Sequence, residues 1–563
     1  MSRNTISFSR IREAFLDGHY RHWPGEASTL GLHDYDDQLK NLTPEALEDE
    51  LQVHRQSLQS IRSLDSQLLS AGEALDAHVM SAYHRFHIRT VGENQAHLSN
   101  IMMTMYPYNL VQFQRRICRT AEHWEALIAR VAQIPRYLKQ QEALLKMGAA
   151  RGELPDRDVV LYIASNQIAH VGDFFEAFSL EPASAGIELA ERVRMELQGR
   201  CLAAARAYRE HGTFLLSCIA PVAEVRTLGE EEYAWRLRHT LGVEAIPEDI
   251  ISRAREILRG LCARLIGLVE TVNGGAVANV QEALAFVMRE KQTHLTKRDE
   301  DVIAAFRSIH RRTGEHMRAH HLFHIGEEVD QLGFYPMPPA FAELCGASNI
   351  AAPLLDPSGK AFFLIHPKAE AHAKIQAAPL SVHEGIPGHG LQSIWWQVNR
   401  EQRAHTVRFL SVPDEIAMAR QYFGAMMNIE GWATYAEVLM EEHDFFTPRE
   451  TLWATWCKIA HASRVVVDAS LHTGRMTVEE GVEFMVVHAG WPRDWAVGEL
   501  NRYRQVPLQA VCYLLGRLEI LDLRDRCRQA QGDSFQLADF HDRFFAAGPV
   551  AAGHLKKSWF TGS

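Results

Sequence analysis

The chain has 563 residues, 47% of them hydrophobic and 23% charged, so it can bury a sizeable core and is not disordered as a whole. A formal net charge of −11 argues against nonspecific nucleic-acid binding, because neutralising phosphates requires a basic surface. No stretch offers the roughly 18 uninterrupted apolar residues of a membrane span, and the first residues, Met1 to Ala14, are interrupted by charges and lack the apolar core of a signal peptide. The expectation is a soluble, cytoplasmic protein without nucleic-acid or membrane partners. Its 8 cysteines include no C-x-x-C pair, which fits reduced thiols better than a disulfide frame or a thiolate zinc site.

Taken in order, the chain reads overwhelmingly as helix. Thr43-Pro44-Glu45 supplies an N-cap, a proline in the first helical position and an acidic first turn, and apolar residues then recur at helical steps to Leu69. Similar entries stand at Leu154-Pro155-Asp156 and Ile246-Pro247-Glu248, and the runs Ala185 to Glu210 and Ile250 to Val272 carry helical periodicity with charged outer faces. The Gly274-Gly275 pair and the segment Gly333 to Pro339 punctuate the chain. The second marks the expected boundary between an N-terminal helical half, 1–340, and a C-terminal half, 341–563, which together are expected to form one continuous body around a central cleft. Near that boundary His316, His320 and His324 recur every four residues, a ladder that on a helix can bind a metal. A partly exposed polar face accounts for them better, because no carboxylate or second ligand-bearing segment is evident beside them. Ala351 to Leu355 and Ala361 to Ile365, flanking the turn residues Asp356-Pro357-Ser358-Gly359, predict a small β ribbon. It is read either as buried structure or as an edge able to pair with an extended peptide.

The chemistry concentrates in Ser381-Val-His-Glu-Gly-Ile-Pro-Gly-His-Gly-Leu-Gln392. A zinc hydrolase helix commonly reads H-E-x-x-H, with both imidazoles on one face and the Glu as base. Here the second histidine, His389, comes two residues late, and a step of six on a regular helix turns a side chain by roughly 240° and lifts it about 9 Å. His383 and His389 can share a metal only if the backbone bends, and Pro387-Gly388 supplies the bend. A looped-out or bulged turn that returns His389 beside His383 is therefore expected, with Glu384 as base. Without a metal, the same letters describe a loop histidine and a helix-capping Glu.

The segment His383-Glu-Gly-Ile-Pro-Gly-His-Gly-Leu-Gln392 resembles the signature of the bacterial family called domain of unknown function 885, whose members resemble helical zinc peptidases of the gluzincin kind. Further blocks agree in order: Glu430 to Glu437, Val467 to Gly474, Arg502 to Gly516 and Phe540 to Gly548. The similarity is strong from about 350 to 555 and faint before. Departures are Gly390, where another His is expected, Ala469-Ser470 after the Asp, and Leu508, where a Gly is usual. The resemblance implies a mainly α, large multi-helix zincin-like metallopeptidase fold with a small β ribbon beside the active site. It also implies one zinc ion, replaceable by another divalent transition metal, held by His383, His389 and Glu430. Enclosure between two helical halves, again implied by the resemblance, favours short peptides over folded proteins.

Glu437 falls seven residues after Glu430, on nearly the same helix face, and can orient a histidine from behind the metal. Thr447-x-x-Glu450 and Thr477-x-x-Glu480 have the form of capping boxes and should open helices. Asp468 and His472, four apart, can share a face, with His472 donating to an oxyanion and Asp468 fixing its tautomer, or they tie two helices together. An oxyanion donor is also sought in Tyr513 first and Tyr503 second, Arg502 is a candidate fork for a substrate carboxylate, and His541 is a substrate contact or a helix-end stabiliser. The expected reaction is metal-assisted hydrolysis of an amide, most directly a peptide bond. Hydrolysis or rearrangement of a small amide or modified amino acid is the second reading, and a catalytically silent metal-binding scaffold the third. An intact Glu384 speaks against the scaffold, since a structural zinc site has no use for a base.

Overall fold

The computed structural model describes residues 7–560 apart from 116–117, 179–188, 225, 325, 338–345, 357–358, 403–405, 411 and 413. Among the described residues the protein is mainly helical with one small sheet. Helix entries lie where the local chemistry puts them. The Thr43 hydroxyl accepts from the Ala46 N–H and Pro44 occupies the first turn of Pro44–Arg62. That helix ends before Leu69, where Ser63 and Asp65 offer side-chain partners to nearby backbone groups. Asp156 caps Arg157–Tyr162, and both predicted capping boxes form, opening Pro448–His472 at Thr447 and Val478–Ala489 at Thr477. The run expected from Ala185 is helical over Glu191–Phe214, with 185–188 outside the described residues. The seven described cysteines are free thiols. No helix among the described residues is long and apolar enough to cross a membrane.

The contacts of the chain divide it into two compact units. One comprises Met1–Arg226, Leu354–Asp356 and His405–Tyr422; the other comprises Thr227–Pro353, Pro357–Ala404 and Phe423–Ser563. The break therefore falls near 226 and not near 340. The helix Pro247–Asn273 explains why: it packs along Pro448–His472, which places it with the unit that carries the metal motif.

The sheet has three strands, β1 (Gly333–Pro336), β2 (Ala347–Ile350) and β3 (Phe362–Ile365), in the order β1-β3-β2. β1 runs parallel to β3 with Phe334 opposite Phe363; β2 runs antiparallel with Asn349 opposite Phe363. The second expected strand is thus present, whereas the first lies earlier than 351–355, and the Gly333 segment read as punctuation is itself a strand. Its later residues 338–339, like Pro357 and Ser358 of the expected turn, lie outside the described residues. Phe334, Ala347, Phe363 and Ile365 pack with Phe306, Ala377 and Ile394 into one buried cluster. Ala377 belongs to the helix Lys374–Glu384 and Ile394 to His389–Val398, so this cluster seats both halves of the metal motif on the sheet. Burial of each such large side chain is worth about 1.5–3 kcal/mol.

Candidate metal centre

The motif is two helices joined by a tight connection. Lys374–Glu384 ends at Gly385, and His389–Val398 begins after Gly388. The Gly388 N–H returns to the Val382 carbonyl at 2.9 Å and the Gly390 N–H to that of Gly385 at 2.8 Å. A Cβ at Gly388 would stand 2.0 Å from the His383 carbonyl oxygen, so the return requires glycine. The buried Trp432 indole fastens the connection, donating to the Pro387 carbonyl at 2.8 Å. The expected bend is thus a full helix break, and it brings the His383 and His389 rings to 4.9 Å between centroids, nearly perpendicular at 88°.

Glu430 closes the set from the helix Met426–Glu442. Its Oε2 lies 3.6 Å from His383 Nε2 and 3.6 Å from His389 Nε2, and the three groups offer atoms all within 4.8 Å of one another. That oxygen is buried and has no hydrogen-bond partner. A distance of 3.6 Å is too long for a hydrogen bond. It matches the ligand–ligand separation of about 3.4 Å expected around a tetrahedral ion with bonds near 2.1 Å. By geometry and donor type the residues fit zinc. Burial opposes charge on Glu430, yet the two imidazoles hold its carboxyl well below the usual range.

The surrounding groups fix this set. Glu437, about two turns further along the same face of the Glu430 helix, bonds His383 Nδ1 at 2.7 Å and so orients the ring with Nε2 toward Glu430. Burial works against charge on His383, but Glu430 and Glu437 outweigh it and hold the imidazole pKa well above 6.5. Glu384 is held by β2: the Asn349 N–H donates to its Oε2 at 2.9 Å and the Asn349 side-chain amide to its carbonyl at 3.0 Å. The Glu430 helix is fixed in turn by the helix Cys512–Gln531, where a Cβ at Gly431 would meet the Gly516 carbonyl carbon at 2.6 Å. Thr434 donates across this contact to the Tyr513 carbonyl at 2.9 Å.

Tyr513 sits beside Glu430, and burial together with that carboxylate pushes its phenol up, so it stays protonated. Its ring stacks on His461 at 5.1 Å and lies under the Arg464 guanidinium at 4.9 Å, while Gln509 donates to its hydroxyl at 3.4 Å. Arg502 bonds the Gln509 side-chain oxygen and Glu499, so Glu499, Arg502 and Gln509 form a chain that ends on Tyr513. His461, Arg464, Gln509 and Asn349 are absent from the sequence reading. His461 and Arg464 precede Asp468 by seven and four residues, a helical spacing that could have pointed to them.

A family model described as bacterial protein of unknown function (DUF885) matches residues 24–558. The chain belongs to this family. A search of curated proteins finds no match. Among solved structures, the DUF885 chain resembles one described as "a putative lipoprotein of unknown function" from Shewanella oneidensis, with 19% identity, TM-score 0.75 and coverage of 98% of this chain and 99% of that one. It also resembles "the putative lipoprotein" from Colwellia psychrerythraea, with 18% identity, TM-score 0.81 and coverage of 99% and 100%. At these identities the likeness shows a shared fold.

Two positions named above as departures from the resemblance stand out in the backbone. Gly390 packs on Gly385, whose carbonyl oxygen would lie 2.7 Å from an added Cβ, so no histidine fits there. Leu508 takes φ +70°, the region that favours glycine. Its N–H turns toward the Asp468 carboxylate at 3.3 Å, and its side chain is buried.

Several expected roles fail on geometry. Asp468 does not hold His472: its carboxylate accepts from Tyr233 at 2.6 Å and from Leu508, while His472 bonds the Tyr503 carbonyl at 3.0 Å. Burial pushes the Asp468 carboxyl up to about 7 and the His472 imidazole down to about 4. The two tie helices together, and His472 is no oxyanion donor. Tyr503 is fully buried with its hydroxyl spent on Glu499 at 2.9 Å, so it is not a donor either. The Arg502 fork is taken by Glu499 and Gln509, which leaves it no plane for a substrate carboxylate. His541 is wholly buried between Tyr435, at 2.8 Å, and the Leu322 carbonyl, at 2.8 Å, and acts as structure, not as a substrate contact. The histidines at 316, 320 and 324 instead follow the preferred reading of a partly exposed polar face: His316 and His320 lie 4.3 Å apart by ring centroid, the helix ends at Ala319, and His324 bonds Asp542.

Proposed function

We propose that this DUF885 protein is a zincin-like metallohydrolase of the gluzincin kind that cleaves amide bonds, most directly those of short peptides. The observation that carries the reading is the buried Glu430 Oε2, without a hydrogen-bond partner and 3.6 Å from both imidazole Nε2 atoms, with Glu384 the next residue after the first histidine. His383, His389 and Glu430 would hold a zinc ion, and other divalent transition metals suit the same donors. When bound, the ion lowers the pKa of water toward 7 and polarises a carbonyl. Glu384 then takes the water proton and passes it to the leaving amine, its carboxylate steered by the Asn349 N–H. Glu437 keeps His383 in the tautomer that turns Nε2 inward. Tyr513, protonated beside Glu430, donates to the oxygen on which charge develops.

The peptide preference is supported by β2, an edge of the sheet whose Asn349 N–H points away from β3 to Glu384. With the Asn349 N–H taken by Glu384, an extended backbone can pair with the remaining outward groups of such an edge, next to the base. The test is elemental analysis of the purified protein together with mass-spectrometric digestion of a mixed peptide library and of acylated amino acids. One transition-metal ion per chain and cleavage of peptides are expected. Turnover confined to acylated amino acids would transfer the site to small-amide chemistry, and a metal-loaded protein inert to both would overturn the reading.

A further inference from the structure

The unit formed mainly by Met1–Arg226 contains a cavity of ≈ 70 Å³ that the proposed chemistry does not use. Trp23, Leu42, Phe86, Met103, Leu144 and Leu145 supply its apolar wall. Its charges are all paired. Lys40 Nζ bonds Glu50 Oε2 at 2.5 Å, both side chains almost wholly buried, and Arg420 pairs with Glu26. The two cations lie 4.1 and 4.4 Å from the Trp23 ring, whose indole N–H donates to Glu50. Besides Arg420, three lining side chains carry polar atoms without a hydrogen-bond partner: His87 Nε2, which lies 3.8 Å from Glu50 Oε1, His97 Nδ1 and Gln141 Nε2. His87 and Gln141 are more than nine-tenths buried, and the Gln141 oxygen is already bonded to Thr104 at 3.2 Å. Burial keeps both imidazoles neutral, pushing each down to about 4.

Leaving buried polar atoms unpaired costs about 1–3 kcal/mol each, so the wall is built for something that meets them. Charge selects what that is. With Lys40 and Glu50, and Arg420 and Glu26, cancelling in a dry interior, an ionic ligand would add an uncompensated charge. The same reasoning disfavours a metal, although Glu50, His54 and His87 present atoms within 4.8 Å. The Glu50 carboxylate is already neutralised by Lys40, and the His54 and His87 rings are stacked at 3.9 Å and 15°, so their in-plane lone pairs cannot converge on one ion. The volume is about that of two waters in the liquid and about half that of a cavity known to take up benzene. We propose that this cavity binds a small uncharged molecule of about four heavy atoms, whose polar head both donates and accepts hydrogen bonds.

The test is calorimetric titration of the purified protein with three probes of one shape: acetamide, acetate and acetamidinium. Acetamide is expected to bind at least about tenfold more tightly than either ion, and His87→Phe and Gln141→Leu each to weaken it about fivefold or more. Acetamide-soaked crystals of the wild type locate the probe should a variant fail to fold, with its amide expected against His87 and Gln141. Equal or tighter binding of either ion would overturn the proposal, as would a soaked cavity holding only waters. A metal ion bound by the wild type and lost in His87→Ala would overturn it in favour of a metal site.

Discussion

Replacing Glu384 by Gln removes one proton acceptor and little else. Glu384 is not among the three groups that face one another at 3.6 Å, and the carbonyl oxygen of Gln can still accept from the Asn349 N–H now at 2.9 Å. Metal content should therefore stay at the wild-type value, and stability should change by no more than about 1 kcal/mol, the worth of one hydrogen bond. A general base contributes about 10²–10⁴-fold, or about 3–5 kcal/mol of barrier, so kcat/KM on the best library peptide should fall by at least about 100-fold with KM little changed. The assay is steady-state peptide hydrolysis with elemental analysis of the same sample. A metal-replete Glu384→Gln that keeps more than about a tenth of wild-type activity would refute the assignment of the base.

Four further outcomes follow from the same geometry. Glu437→Ala frees the His383 ring and should weaken zinc about 10–100-fold in a chelator competition, with activity recovering at saturating zinc. Tyr513→Phe should lower kcat about 100-fold or more, whereas Tyr503→Phe, whose hydroxyl serves Glu499, should alter melting temperature more than rate. Gly388→Ala places a Cβ 2.0 Å from the His383 carbonyl oxygen and should abolish metal binding even where circular dichroism shows a folded chain. The Asp468 carboxyl, pushed up to about 7 by burial, lies above its unfolded value near 3.9, so the folded state holds the proton more tightly. Its stabilising share is full below about pH 4 and is lost as pH rises through about 7, by about 4 kcal/mol at most. The melting temperature of wild type should accordingly fall relative to Asp468→Asn between those pH values.

The helix caps at Thr43, Thr447 and Thr477 were legible because a cap is a contract between residues three apart in sequence. The convergence of His383 and His389 was legible for a related reason: the spacing of six demanded a break, and Pro387-Gly388 stood where it was needed. Partners distant in sequence were not legible. Asn349 reaches Glu384 through strand pairing, and the first strand was misplaced because burial of Phe334, Ala347 and Phe363 in one cluster, not alternation, decides where β1 and β2 lie. Asp468 and His472 share a helix face as their spacing requires. What each touches is set by Tyr233, Leu508 and Tyr503, which no local pattern reveals. The break near residue 226 was hidden because Pro247–Asn273 joins the C-terminal unit by packing along Pro448–His472, not by sequence proximity.

The central claim is that one ion joins His383, His389 and Glu430. Anomalous diffraction at the zinc edge from crystals of the purified protein tests it most directly. A single peak about 2.0–2.2 Å from His383 Nε2, His389 Nε2 and Glu430 Oε2, absent in Glu430→Ala, is the predicted result. A zinc-loaded crystal whose peak lies elsewhere, with those three atoms bound only to protein or water, would contradict it.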